Sequence, residues 1–458
     1  MAPKFGTSGL RGLVTALTSS LVQDHVRAFI AACDVGKGLF VGQDLRPSSL
    51  RLAQDIVNAA HSMGVRVTEC GPVPTPALAL AALDQGSGAI MVTGSHIPAD
   101  RNGLKFYTPR GEITKSDETA ITQALGIEPK TSASRAYQPQ KDADVGARFV
   151  ARYVQACGPG SLAGRQVGLY SHSAVGRDLM ADILRALGAN VIELGRSAHF
   201  IPVDTEAVDP DTRSQIAGWV RTHSLDALVS MDGDSDRPLL ADETGRIVPG
   251  DILGQITAQS LGAEAVVTPI SSNSGVAQKG FDTVALTAIG SPHVIAGMQQ
   301  QGGKVVGYEA NGGFLLGFEA AGPAGHFAPL VTRDCVLPLI MTLLAARGGT
   351  VSQRVAQEPP VVTVADRLQN IPQTRAQPFV ASLAKEAQAR ANFLAVFDGQ
   401  EATCNLTDGV RMTLVDGRVV HVRPSGNAPE LRLYIEASDP ETAAQMLDAG
   451  LRHLAQNL

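Results

Sequence analysis

Short apolar runs alternate with helical stretches along most of this chain, and the alternation repeats. Lys37–Asp44 reads as a buried strand ending in polar residues, Ser48–Met63 as a helix, and Gly64–Cys70 as a second strand. The same order returns in RQVGLYSHSAVGRDLMADILRALGANVIELG, from Arg165 to Gly195, and a weaker copy runs from Ala263 to Gly290. Strand-length runs separated by helical periodicity predict α/β units. Beyond the paired prolines of AQEPPVV (Ala356–Val362) the pattern changes. MTLVDGRVVHVRPSG alternates on both sides of Asp416-Gly417, a hairpin signal, LRLYIEAS (Leu431–Ser438) alternates again, and Pro440–Leu458 predicts a terminal helix. The expected class is α/β: three similar α/β domains with mixed sheets and a smaller C-terminal α+β domain. Breaks fall in the polar stretch Thr131–Asp144, near Asp242–Gly250, and at Ala356–Val362. The expected domains are therefore 1–137, 138–245, 246–357 and 358–458.

Composition narrows the function classes. A length of 458 residues exceeds what a single core usually serves. The net charge of −6 offers no basic footprint for nucleic acid or anionic lipid, so anionic ligands must be met by locally placed Arg and Lys. Cys33, Cys70, Cys157, Cys335 and Cys404 form no CxxC pair, which argues for reduced thiols in a cytoplasmic setting. The opening MAPKFGTSGLRG lacks an apolar leader, and no uncharged apolar segment reaches membrane-spanning length.

Four segments carry chemistry. TGSHIPADRNGLK (Thr93–Lys105) follows the apolar run AIMV, so Ser95 lies where a buried strand opens into a loop. Gly94 is expected to grant the backbone freedom that turns the hydroxyl outward. Asn102-Gly103 is expected to form a tight turn folding Lys105 back toward it. His96 and Lys105 would orient and neutralise a phosphoryl group, although a Ser-His pair in a Gly/Pro loop is by itself usually just a turn. DGDSDR (Asp232–Arg237) ends the apolar run DALVSM and sets Asp232, Asp234 and Asp236 at alternate positions, a cage for a hard divalent cation. An EF-hand would require glycine at the sixth loop position, where Arg237 stands. A haloacid-type phosphatase would leave Ser95 unexplained. Magnesium held partly by a phosphate oxygen fits better, with a solvated acidic turn as the bland alternative. GYEANGGF (Gly307–Phe314) offers Glu309 and Asn311 for vicinal sugar hydroxyls, and RPSGNAPELRLY (Arg423–Tyr434) has a composition suited to phosphate oxygens. Each of these two is equally at home in an ordinary turn when taken alone.

Taken together, TGSHIP with NGLK, DGDSDR, GYEANGG and RPSGNAPE resemble, in order, the α-D-phosphohexomutases, the phosphomannomutase and phosphoglucomutase superfamily. GTSGLRG (Gly6–Gly12) and GQDLRPSS (Gly42–Ser49) extend the resemblance over nearly the whole chain. It implies four domains around a central cleft, with Ser95 as the phosphoserine and Mg²⁺ held by Asp232, Asp234, Asp236 and the seryl phosphate. It further implies roles for Arg11, His96, Lys105 and Arg237 in transfer. Sugar recognition falls on Glu309 and Asn311, and phosphate binding on Arg423, Ser425, Gly426, Asn427 and the nearby Arg432. Two departures stand out: Gly94 and Ile97 replace residues of the usual Ala-Ser-His-Asn-Pro, and Asn311 and Gly313 replace those of Glu-x-Ser-Gly-His.

The resemblance implies an isomerase moving phosphate between C1 and C6 of a hexose through phospho-Ser95 and a hexose 1,6-bisphosphate. The substrate would be a hexose phosphate, mannose phosphate first, and the enzyme a monomer or homodimer without nucleic-acid or membrane partners. Phosphoglucomutase and phosphoglucosamine mutase are the neighbouring alternatives, and a silent sugar-phosphate-binding homologue or a Mg-dependent phosphatase the distant ones.

Overall fold

The computed structural model describes residues 3–6, 9–130, 138–424 and 430–458. Its first three units share one topology. In the first, strands Leu39–Gln43, Val67–Pro72 and Gly88–Val92 run parallel with Leu39–Gln43 in the middle, and Arg101–Thr108 returns antiparallel beside Gly88–Val92. The second repeats this with Gln166–Tyr170 central, Asn190–Leu194 and Ala227–Met231 flanking, and Pro238–Asp242 antiparallel. The third repeats it again with Ala265–Pro269 central, Thr283–Thr287 and Val305–Tyr308 flanking, and Phe314–Leu316 antiparallel. The three sequence repeats are thus three copies of one mixed sheet, each with crossover helices such as Ser49–Ser62 and Arg177–Ala186.

One consequence locates the function. In every copy, the loop between the third parallel strand and the antiparallel fourth carries a motif. Ser95 follows Gly88–Val92, DGDSDR follows Ala227–Met231, and GYEANGG straddles the end of Val305–Tyr308. Crevices at the carboxyl ends of such strands are where α/β sheets place their ligands.

The expected turn at Asn102-Gly103 is instead the interior of strand Arg101–Thr108, which pairs with strands on both sides. Gly103 meets a close approach of backbones: a Cβ there would lie 2.4 Å from the Leu10 carbonyl oxygen and 3.0 Å from that of Thr93. Lys105 reaches the cleft from this strand, opposite Met91.

A continuous core joins the first three units, running from Phe40 and Tyr107 through Tyr153, Leu184 and Val229 to Tyr308, Phe327 and Leu344. Tyr153 seals part of it by donating to buried Asp334 at 2.5 Å. The last unit is an antiparallel sheet in the order 362–369, 430–437, 419–424, 410–414, 401–405, with helices Gln373–Lys385 and Pro440–Asn457 over its own core. Its contacts with the third unit are polar. Asn273 donates to the Val361 carbonyl at 2.8 Å, the Ser274 N–H to Glu436 at 3.0 Å, and the Ile289 N–H to Asp408 at 3.0 Å. Two strands lie just beyond the expected breaks: Gln140–Lys141 pairs with the first sheet and Ile247–Val248 with the second. Among the described residues no helix is long and apolar enough to cross a membrane.

Candidate active site

Ser95 is buried, and its own backbone, rather than that of Gly94, takes the left-handed conformation, with φ 55°. Strain of this kind, roughly 1–3 kcal/mol, persists only where the surroundings hold it. Thr93 Oγ1 accepts the Ser95 N–H at 2.7 Å, and Arg46 donates to the carbonyls of Ser95, Ile97, Pro98 and Arg101 at 2.6–3.0 Å. Arg46 is itself fixed by Asp44 at 3.1 Å and lies over the Phe200 ring at 4.0 Å. A Cβ on Gly94 would fall 2.7 Å from the Arg46 guanidinium carbon, which gives this glycine a steric reason.

The loop delivers the serine hydroxyl to the metal motif: Ser95 Oγ donates to Asp232 Oδ2 at 2.5 Å. Carboxylate oxygens of Asp232, Asp234 and Asp236 lie within 4.8 Å of one another, and all three residues are buried. Asp232 Oδ1 accepts the N–H groups of Asp236 and Arg237, closing the loop on itself, while Ser235 takes φ 58°. Lys105 crosses from the first unit to bond Asp234 at 2.5 Å and Asp236 at 2.6 Å. Thr75 donates to the same Asp234 oxygen at 2.5 Å. The second oxygens of Asp234 and Asp236 are buried without a hydrogen-bond partner. Orphaned carboxylate oxygens at this spacing fit a hard dication such as Mg²⁺.

The charges divide unequally. Burial, then the charges of Asp234 and Asp236, push the Asp232 carboxyl well above the usual range. Burial acts the same way on Asp236, but Arg333, Lys105 and Arg237 outweigh it and hold that carboxylate below its ordinary value. His96 does not supply the positive charge expected of it. Burial and the adjacent Arg237 lower its pKa to about 3, and its Nδ1 accepts from Arg237 Nη1 at 3.0 Å. The neutral ring lies 3.3 Å from Ser95 Oγ. Arg11, on strand Leu10–Leu13, has its pKa lowered to about 10 by burial and by the fields of Arg237 and Arg333. Clustered cations of this kind suit an anionic ligand.

On the GYEANGG loop, Glu309 and Asn311 are buried, and the Asn311 side-chain oxygen accepts the Gly313 N–H at 3.0 Å. Arg423 and Arg432 are register partners on the paired strands Val419–Pro424 and Glu430–Ala437. Arg423 is held by Asp408 at 2.8 Å. Ser425, Gly426 and Asn427 lie outside the described residues. The structure adds partners that sequence reasoning missed: Thr75, Asp204 (3.9 Å from His96), Thr205 (3.2 Å from the Asn311 carbonyl), Arg46 and Arg333. Asp44 and Arg46 lie in GQDLRPSS, one of the segments that carry the family resemblance. Arg333 had no motif around it.

A strained serine pressed against a carboxylate cage, with a lysine and several arginines turned inward, defines an enzyme of phosphoryl transfer. Comparison with known proteins agrees. The family models described as phosphoglucomutase/phosphomannomutase alpha/beta/alpha domain I, alpha/beta/alpha domain II and C-terminal domain match residues 2–130, 149–245 and 363–452. The chain is 42% identical to a phosphomannomutase of Sinorhizobium fredii, over 100% of both chains. It is 38% identical to a phosphomannomutase of Salmonella muenchen, over 99% of this chain and 96% of that one. A phosphoglucosamine mutase of Hyphomonas neptunium is 28% identical over 97% and 96%. Among solved structures, a phosphoglucomutase/phosphomannomutase family protein of Burkholderia thailandensis shares the fold with a TM-score of 0.78 at 20% identity, over 98% and 97% of the two chains. The open form of a Paramecium phosphoglucomutase, parafusin, gives 0.74 at 16%, over 100% and 96%. The chain belongs to the phosphoglucomutase/phosphomannomutase family, whose members are phosphohexomutases, isomerases of carbohydrate metabolism.

Proposed function

We propose that this protein is a phosphomannomutase that interconverts mannose 1-phosphate and mannose 6-phosphate through phospho-Ser95 and a hexose 1,6-bisphosphate. The single observation that carries the mechanism is the 2.5 Å contact between Ser95 Oγ and Asp232, which sets the nucleophile against the cation site. Phosphoryl transfer depends mainly on positioning and charge stabilisation. The bond between phosphorus and Ser95 Oγ breaks as one forms to the sugar hydroxyl oxygen, the hydroxyl proton leaving to a neighbouring base while the freed serine oxygen takes one up, and the reverse exchange returns the other phosphate to Ser95. Asp232, Asp234 and Asp236 would hold Mg²⁺, which supplies charge neutralisation at the seryl phosphate. Lys105, with its ammonium against Asp234 and Asp236, would stay beside the transferring group, and Arg11 and Arg237 would draw phosphate oxygens inward. Glu309 and Asn311 would grip the sugar hydroxyls. Arg423, Ser425, Gly426, Asn427 and Arg432 would receive the phosphate not in transfer. The chain would divide near residues 137, 245 and 357, with the short strands Gln140–Lys141 and Ile247–Val248 reaching back to the preceding sheets.

Preference for mannose rests on the two full-length phosphomannomutase relatives. Initial rates on mannose, glucose and glucosamine 1-phosphates test it, with mannose expected to give the highest kcat/KM. Ser95→Ala tests the chemistry: turnover should fall roughly a thousandfold or more, and intact mass should show no added phosphate after exposure to hexose 1,6-bisphosphate. Retained turnover would remove the phosphoserine route, and release of free phosphate by the wild-type enzyme would indicate a phosphatase.

A further inference from the structure

Arg333 lies where the first three units meet, on strand Leu330–Asp334, and is only 2% exposed. Its Nε donates to Asp236 Oδ2 at 2.9 Å, and its Nη1 donates to Glu309 Oε2 and Ser291 Oγ, each at 3.2 Å. Ser291 Oγ donates onward to Glu112 at 2.8 Å, and Thr332 donates to the other oxygen of Glu112 at 2.8 Å. One planar cation therefore joins a carboxylate of the metal loop to a carboxylate of the sugar loop, backed by a carboxylate from the first unit. Because Arg333 and Lys105 both take Asp236 Oδ2, the other oxygen is left without a hydrogen bond, with only Arg237 Nε nearby at 3.8 Å. The stem of Arg333 passes over Gly313, where a Cβ would lie 2.6 Å from Arg333 Cδ and 2.8 Å from Cγ.

Building on the mutase reading above, we propose that Arg333 is a positioning residue that locks the metal loop and the sugar loop into one unit, with Gly313 as its required steric complement. The fork orients Asp236 toward the cation and Glu309 toward the sugar, so binding at either loop depends on the same guanidinium. An ammonium cannot reproduce two divergent planar bonds.

The test uses full-length Arg333→Lys, Gly313→Ala and the double variant. Mn²⁺ affinity is measured by electron paramagnetic resonance, mannose 6-phosphate affinity by calorimetry, and KM and kcat by turnover. Arg333→Lys should weaken both Mn²⁺ and mannose 6-phosphate about fivefold or more and raise KM alongside. Gly313→Ala should weaken both by a smaller factor, and the double variant should be no worse than Arg333→Lys. If Arg333→Lys does not fold, Gly313→Ala decides alone. Variants that melt lower yet bind both ligands within twofold of wild type would overturn the proposal, and so would loss at one loop only. The two binding measurements need no turnover, so a wild-type enzyme inactive on mannose phosphates would count against the mutase reading alone.

Discussion

Ser95 and Gly233 show how tightly the candidate site is fitted. A Cβ on Gly233 would meet the Ser95 carbonyl oxygen at 2.7 Å and the Phe200 ring at 3.0 Å. Backbone cannot yield as a side chain does, so Gly233→Ala should push the nucleophile loop off the triad. Overpacking of this sort costs about 1–3 kcal/mol, readable as a lower urea midpoint, and mutase turnover should drop at least tenfold. The cysteines lie at the opposite extreme. Burial raises the Cys157 thiol to about 12, so it should react with a thiol reagent only on unfolding. Legibility at this scale followed local chemistry. Ser95, Lys105 and the three aspartates stand in motifs whose residue types mark them as candidates, and the fold brings them together. Arg333 and Thr75 stand in apolar or featureless sequence, and only the fold brings them to Asp236 and Asp234. Gly94 was visible, but its reason was not, because the reason is the Arg46 guanidinium 48 positions earlier in the chain.

Among the elements, periodicity located strands and helices well wherever one face is buried. Ser48–Met63 was expected to be helical, and Ser49–Ser62 is; the hairpin around Asp416-Gly417 and the terminal helix stand as expected. The strand Arg101–Thr108 escaped because Asn102-Gly103 carries a turn composition, and local preference yielded to two flanking ladders. Asn102 spends its amide on Ser48 and Ser49, at 2.8 and 3.0 Å, so a turn-former serves as a clamp. At the last unit, Asp408 bonds both Arg423 and the backbone of Ile289. Asp408→Ala should loosen this unit from the third, seen as faster proteolytic cleavage near Pro359-Pro360 and a severalfold higher KM for the hexose phosphate.

For the whole molecule, pH acts through buried groups of opposite sense. His421 is buried with its Nε2–H donated to the Asp408 carbonyl, and burial lowers its pKa to about 4. Its folded value lies below the unfolded one, so its contribution is full above pH about 6.5 and is lost as pH falls toward 4, roughly 3 kcal/mol in all. Asp251 behaves inversely. Burial raises it to about 7, although it accepts the Asn273 and Ile252 N–H groups, so its contribution is present below pH about 4 and fades as pH rises through 7. Urea unfolding across pH 4–8 should show His421→Gln gaining on wild type toward acid and Asp251→Asn gaining toward neutrality. At this scale the repeat was legible in the periodicity, whereas the convergence of its loops was legible only through the family resemblance. Hydrophobic periodicity reports which face of an element is covered and says nothing about which distant loop arrives opposite it.

That common topology gives the molecule a working pole and an indifferent one. The third strands of the three α/β units enter from surface turns near Gly86, Ser224 and Gly303 and leave into the cleft. An engineer wishing to graft a fluorescent or affinity module has an address: a short flexible insertion at exposed Gly302-Gly303 lengthens the approach to the sugar loop's strand without touching its exit.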